Sequence, residues 1–135
     1  MEVIIRARGI GNGAGTGPLL VTDAPLSFLG GVDPATGMVI DPDHPLHGRS
    51  VAGRVLVFPH GKGSTVGSYV LYGLAKNGVA PAAIVNVEAE TIIAAGALIA
   101  GIPLVDRPSV PIADLPDGAE ATVDADAGEI RVGDP

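Results

Sequence analysis

The sequence predicts a β-rich α/β domain, and three observations carry that prediction. Short apolar runs recur between turn-forming residues, at Val3-Ile4-Ile5, Leu19-Leu20-Val21, Val55-Leu56-Val57-Phe58 and Ile84-Val85, the pattern of buried strands. Twenty glycines and twelve prolines in 135 residues imply many turns, so strands should outnumber helices. Between two of the runs the period changes: Val66, Tyr69, Val70, Gly73 and Leu74 are spaced three and four apart, as on one face of a helix. A helix linking two buried strands makes a parallel β-α-β unit.

Taken in order, Glu2 to Arg8 has strand propensity and begins a sheet. Gly9-Ile10-Gly11-Asn12-Gly13-Ala14-Gly15-Thr16-Gly17 alternates like a nucleotide loop. However, the strand Pro18 to Thr22 follows it, and a phosphate loop without its helix lacks the dipole that holds phosphate. A glycine-rich connection or bulged turn is expected there. Met38-Val39-Ile40 is a short strand. The helix opened by Ser64-Thr65 runs to about Asn77, where Gly78 supplies a left-handed stop. Pro81 to Val87 is the next buried strand. Glu88-Ala89-Glu90 starts a short helix through Ala95, both acids favouring its first turn. Ile99 to Val105 returns to the sheet. Glu120–Asp124 and Glu129–Val132, split by Ala125-Asp126-Ala127-Gly128, form a hairpin. The whole is a β-rich scaffold with one β-α-β unit, a single domain over residues 1–135.

Composition excludes several functions. The formal net charge is −7 with only 8 Lys and Arg, which argues against nucleic acid. There is no cysteine, so disulfides, a thiolate nucleophile and a cysteine-held iron–sulfur cluster on this chain alone are excluded. With 3% aromatic residues and no Trp, the core must be Val, Ile, Leu and Ala. The N-terminus lacks a basic start and a long apolar run. The most apolar stretch, Ile92 to Val105, is interrupted by Pro103 and shorter than the ~20 residues that span a bilayer. A cytoplasmic protein without membrane contact is expected.

Two stretches carry chemistry. In Phe58-Pro59-His60-Gly61-Lys62-Gly63-Ser64-Thr65, strand gives way to helix through glycines, a lysine and two hydroxyls. Free N–H groups at a helix start suit an anion, glycine lets backbone approach a ligand, and Lys62 adds a charge. The same residues also fit a plain N-cap and turn. The loop is neither a P-loop, since Gly63 separates Lys62 from Ser64, nor a dinucleotide fingerprint. The second stretch, Ala24-Pro25-Leu26-Ser27-Phe28-Leu29-Gly30-Gly31-Val32-Asp33-Pro34, is an apolar loop. Ser27, Gly30 and Gly31 are candidates to line a site, and Phe28 is a candidate core plug. Asp41-Pro42-Asp43-His44-Pro45-Leu46-His47 gathers metal-ligand types, but its prolines prevent a helix that would align the histidines, so a solvated turn is favoured.

Pro25-Leu26-Ser27-Phe28-Leu29-Gly30-Gly31-Val32-Asp33-Pro34-x-Thr36-Gly37, His44-Pro45-Leu46-x-Gly48 and Gly61-Lys62-Gly63-Ser64-Thr65-x-Gly67-Ser68, in that order, resemble the aconitase X small subunit or swivel domain. Ala80 to Val85 and Ile102-Pro103 fit as well, so the likeness covers nearly the whole chain. It is strongest to the archaeal branch acting on phosphomevalonate; many bacterial relatives, including hydroxyproline dehydratases, carry Trp where Leu29 stands. The resemblance implies a swivelling β/β/α domain, as in the aconitase mobile domain. It also implies a heterodimer with a large subunit whose cysteines hold a [4Fe-4S] cluster. It implies a hydro-lyase that dehydrates (R)-5-phosphomevalonate to trans-anhydromevalonate 5-phosphate in an archaeal mevalonate route to isoprenoids. Its catalytic serine corresponds to Ser64.

The residues agree with that chemistry. Dehydrating a β-hydroxy acid needs a Lewis acid on the leaving hydroxyl and a base for the proton beside the carboxylate. Ser64 as an alkoxide is such a base if oriented donors stabilise it. Lys62, Gly63, Thr65, Ser27, Gly30 and Gly31 are the expected substrate contacts, with Lys62 meeting either carboxylate or phosphate of the phosphorylated substrate. Two other readings are a hydroxyproline dehydratase subunit of the same family and a non-catalytic binding or regulatory module. Phe28, Leu29 and Val32 are expected to form part of the subunit contact.

Overall fold

The computed structural model describes residues 2–63 and 66–133. It contains a mixed sheet in the order β1-β8-β7-β3-β4-β5-β6-β2, with two α-helices and a 3-10 turn at Ile112–Asp114. The strands are β1 (Val3–Arg6), β2 (Arg8–Gly9), β3 (Ala14–Val21), β4 (Val55–Val57), β5 (Ala83–Val85), β6 (Leu104–Asp106), β7 (Glu120–Asp124) and β8 (Glu129–Val132). The helices are α1 (Gly67–Lys76) and α2 (Thr91–Ala100).

The strands β3 to β6 run parallel in sequence order. The chain therefore carries two β-α-β units, through α1 and α2, where the apolar pattern suggested one. The expected short helix from Glu88 starts instead at Thr91 and extends to Ala100. Its sequence is almost wholly apolar, which hides the amphipathic period. Alternation along the strands sends their side chains to two cores. Leu20, Leu56, Ile84 and Leu104 pack under α1 and α2 with Leu71, Leu74, Ile93 and Ala97. Leu19, Val55, Val57, Val85 and Val105 face the other way, against Ile5, Val123, Ile130 and Val132 of β1, β7 and β8. The layering is thus β/β/α, as the resemblance implies.

The strand that joins the two β layers is β3. Its first half pairs antiparallel with β7, from Ala14↔Asp124 to Pro18↔Glu120. Its last three residues pair parallel with β4. The Gly9–Gly17 run is therefore partly strand rather than a connection or bulged turn. The reason is close approach: a Cβ on Gly15 would collide with the Ala82 carbonyl, and one on Gly17 with that of Gly53. These glycines let the strand cross the amino ends of the parallel strands, so their spacing reflects packing rather than phosphate binding.

The hairpin β7–β8 has the expected bounds, and its register runs from Ala121↔Val132 to Asp124↔Glu129. Gly78, with φ of 71°, follows the α1 C-cap Asn77, as the sequence suggests. Met38–Ile40 forms only isolated bridges, Val32↔Val39 and Met38↔Ser50. No helix among the described residues is long and apolar enough to cross a membrane.

Candidate active site at the carboxyl end of the parallel strands

The two stretches singled out in the sequence meet in space. Leu26 and Gly61 form a parallel bridge. The Leu26 N–H donates to the His60 carbonyl at 3.3 Å, and the Lys62 N–H donates to the Leu26 carbonyl at 3.1 Å. Ser27 is thereby held against the loop that leaves β4. A Cβ on Gly63 would stand 2.7 Å from Ser27 Oγ, and Gly63 itself has φ of 94°. Two independent constraints, backbone conformation and contact with Ser27, thus require glycine there.

Ser27 is fixed by its own turn. Its hydroxyl donates to the Leu29 carbonyl at 3.1 Å. Gly30 has φ of 78°, and a Cβ on Gly31 would collide with the Ser27 carbonyl. Ser27, Gly30, Gly31, Lys62 and Gly63 therefore occupy one neighbourhood, with the Lys62 side chain exposed to solvent. Ser64 and Thr65 lie outside the described residues. After them, Val66 takes the N-cap position of α1 and supplies no side-chain cap.

The loop rests on the first turn of α2. Glu90 caps that helix, its carboxylate accepting from the Ile92 and Ile93 N–H groups at 2.9 and 2.8 Å. A Cβ on Gly61 would stand 2.5 Å from Ile93 Cγ1 and 2.8 Å from Glu90 Oε1. Glu90 is thus a cap rather than a first-turn acid, and Glu88 is outside the helix, paired in bidentate fashion with Arg107.

His44 was expected in a solvated turn, yet it is buried. Its Nδ1 accepts from the Leu46 N–H at 3.1 Å, so Nε2 carries the proton and donates to the Pro25 carbonyl at 3.1 Å. His44 therefore pins the start of the Ser27 stretch from 19 residues away, and both ring nitrogens are engaged. His47 and His60 are exposed, and the His60 Nδ1–H donates to the Gly61 carbonyl at 2.9 Å. No group of three or more metal-ligating side chains occurs among the described residues. With no cysteine in the chain, these donors do not fit an iron–sulfur cluster.

The carboxyl end of β6 is closed by charge. Buried Asp106 accepts two hydrogen bonds from Arg8, at 2.8 and 2.7 Å, and one from the Ala89 N–H at 2.9 Å. Burial alone pushes this carboxyl up, but the Arg8 guanidinium and the Ala89 N–H outweigh it and hold the group below its ordinary value. A carboxyl depressed in the folded state stabilises fully above its unfolded value, 3.8, and that contribution is lost as pH falls below it through the folded value. The Tm is therefore expected to drop in that acid range, and Asp106→Asn to flatten this part of the profile. An unchanged acid limb in the variant would remove Asp106 as its source.

Phe28 and Val32 are each only 2% exposed and belong to the core, Phe28 edge-on to Phe58 with centroids 6.0 Å apart. They are not available for the subunit contact expected of them, whereas Leu29 is 45% exposed. An apolar loop tucked under helices buries alternate side chains, and position along it alone does not reveal which.

Fold and site together define a small β/β/α domain whose glycine-rich loop leaves the carboxyl end of a parallel strand beside an α-helix. The family described as the aconitase X swivel domain matches residues 4–132. The phosphomevalonate dehydratase small subunit of Methanothermobacter thermautotrophicus is 61% identical over 132 residues, covering 97% of this chain and 99% of that one. Its counterpart in Methanocella arvoryzae is 56% identical over 129 residues, covering 95% and 98%. The crystal structure of Thermococcus kodakaraensis aconitase X in its holo-form superposes with a TM-score of 0.93 at 50% identity, covering 98% of this chain and 99% of that one. The chain belongs to the aconitase X swivel-domain family.

Proposed function

We propose that the chain is the small subunit of a two-subunit hydro-lyase that dehydrates (R)-5-phosphomevalonate to trans-anhydromevalonate 5-phosphate, with Ser64 as the proton acceptor. What carries this reading is likeness along almost the full length of both chains to relatives named phosphomevalonate dehydratase small subunit. The meeting of the Ser27 turn with the Gly61–Gly63 loop is consistent with it. The large subunit supplies the [4Fe-4S] cluster, for which this chain has no cysteine ligands, and the cluster's Lewis acidity belongs to that subunit. The reaction takes place in the cytoplasm, where the two chains form a heterodimer.

On this chain, Ser64 takes the proton beside the substrate carboxylate. A serine hydroxyl is a weak base, so the alkoxide needs donors aimed at it in a site closed to water. The N–H groups of the glycine loop and the start of α1 are such donors. Lys62, Thr65 and Ser27 bind the anionic substrate, and Gly30 and Gly31 shape the turn that presents Ser27.

Anaerobic co-purification with the large subunit, followed by assay on (R)-5-phosphomevalonate, tests the reading. Turnover requiring both chains, with neither iron nor activity in the small chain alone, is expected. A complex that dehydrates a hydroxyproline instead would overturn the substrate. Cluster iron bound to the isolated chain would overturn the division of labour.

A further inference from the structure

Asn86 stands directly after β5 and is fully buried. Its parity with Ile84 places it on the helix-bearing face of the sheet. It lies one step beyond the paired Val57↔Val85, beside the point where the glycine loop leaves β4. Its Nδ2 donates to the Phe58 carbonyl at 2.9 Å and to the Val85 carbonyl at 3.3 Å. Both partners are carbonyls, so the orientation of the amide follows from chemistry: only its NH2 can face them. Its Oδ1 is then left buried without a donor, the one such side-chain atom among the described residues. A buried amide oxygen without a donor is destabilising and uncommon in native proteins.

We propose that Asn86 is a positioning residue of the site. Its NH2 holds the Phe58 carbonyl, where strand becomes loop, an orientation kept although it leaves Oδ1 without a donor. Phe58 begins the loop that runs through Gly61 and Gly63, and the Pro59 carbonyl is held in turn by the N–H groups of Val87 and Glu88. The Asn86 side chain and the two N–H groups that follow it thus hold the origin of the loop by three hydrogen bonds. Loss of the side chain frees the first of them.

Asn86→Leu keeps the volume and removes both polar functions. The first readout, which does not depend on the proposed reaction, is hydrogen exchange of the full chain. Protection is expected to fall selectively over residues 58–62 and at Val87 and Glu88, with β1, β7 and β8 unchanged; a uniform fall, or none, would overturn the positioning role. The second is kinetic, on the two-subunit enzyme, and rests on the function proposed above. Because the loop would start from a displaced Phe58, kcat is expected to fall by about 10²-fold with little change in KM. Unchanged kcat and KM would overturn the role in the site. Asn86→Asp, which keeps an oxygen at Oδ1 but loses the NH2, covers the case in which the leucine variant does not fold: selective exchange near Phe58 is again expected, and wild-type protection there would count against the proposal. Wild-type enzyme without turnover on (R)-5-phosphomevalonate would sink the proposed reaction while leaving the exchange result interpretable.

Discussion

Ser64→Ala is expected to abolish dehydration by the two-subunit enzyme, lowering kcat by about 10³- to 10⁴-fold, the upper range for removal of a general base. KM should change little, because a proton acceptor acts in the transition state more than in the bound ground state. The fold should persist, since Val66 rather than Ser64 holds the N-cap position of α1. Association with the large subunit should therefore be intact, and co-purification from a tagged partner is the control. An alanine enzyme that turns over near the wild-type rate would reduce Ser64 to a turn residue, and the proton acceptor would have to be sought on the large subunit. Ser64→Cys is a useful companion. A thiol ionises far more readily than a hydroxyl, so partial activity with an altered pH profile would tie the proton transfer to this side chain.

How much of this was legible in the sequence depended on what each residue answers to. Period and punctuation carry local information, so β4, the Gly78 stop and the β7–β8 hairpin stand where expected, whereas α1 spans Gly67–Lys76 and buries Leu71 and Leu74 while Tyr69, placed on its apolar face, is 73% exposed. The extent of α2 is not marked in the sequence, because Thr91–Ala100 contains almost no polar residue to define a face. The Gly15 and Gly17 pair looked like loop chemistry because the carbonyls that exclude a side chain, of Ala82 and Gly53, belong to distant residues. The same holds at the site. The glycines and Ser27 announced themselves by type. The support they depend on did not: His44 pins Pro25, Glu90 caps α2 beneath Gly61, and Asn86 ties β5 to β4. For Asn86 there was a faint signal, an amide at the end of an apolar run with the parity of Ile84. For His44 there was none, because its partner is a backbone carbonyl, which has no sequence signature.

Gly63→Ala should be the most damaging substitution in the glycine loop after loss of Ser64 itself. Alanine at a φ of 94° is strained by about 1–3 kcal/mol, and its methyl group would meet Ser27 Oγ. The loop must then shift, and a displacement near 1 Å at a catalytic group lowers turnover by about 10²-fold. The two causes separate in a double-mutant cycle. Ser27→Ala removes the oxygen that the new methyl group meets but leaves the backbone strain. If crowding dominates, Gly63→Ala costs less in the Ser27→Ala background than in the wild type. If strain dominates, the two losses add, and the Tm deficit of Gly63→Ala is the same in both backgrounds. Gly30→Ala is the matched control, because it also has positive φ, 78°, but no atom within 4 Å of an added Cβ. Its stability loss should resemble that of strain alone. A Gly63→Ala enzyme with kcat within twofold of Gly30→Ala would show that the contact between the two loops does not set the position of the catalytic residue.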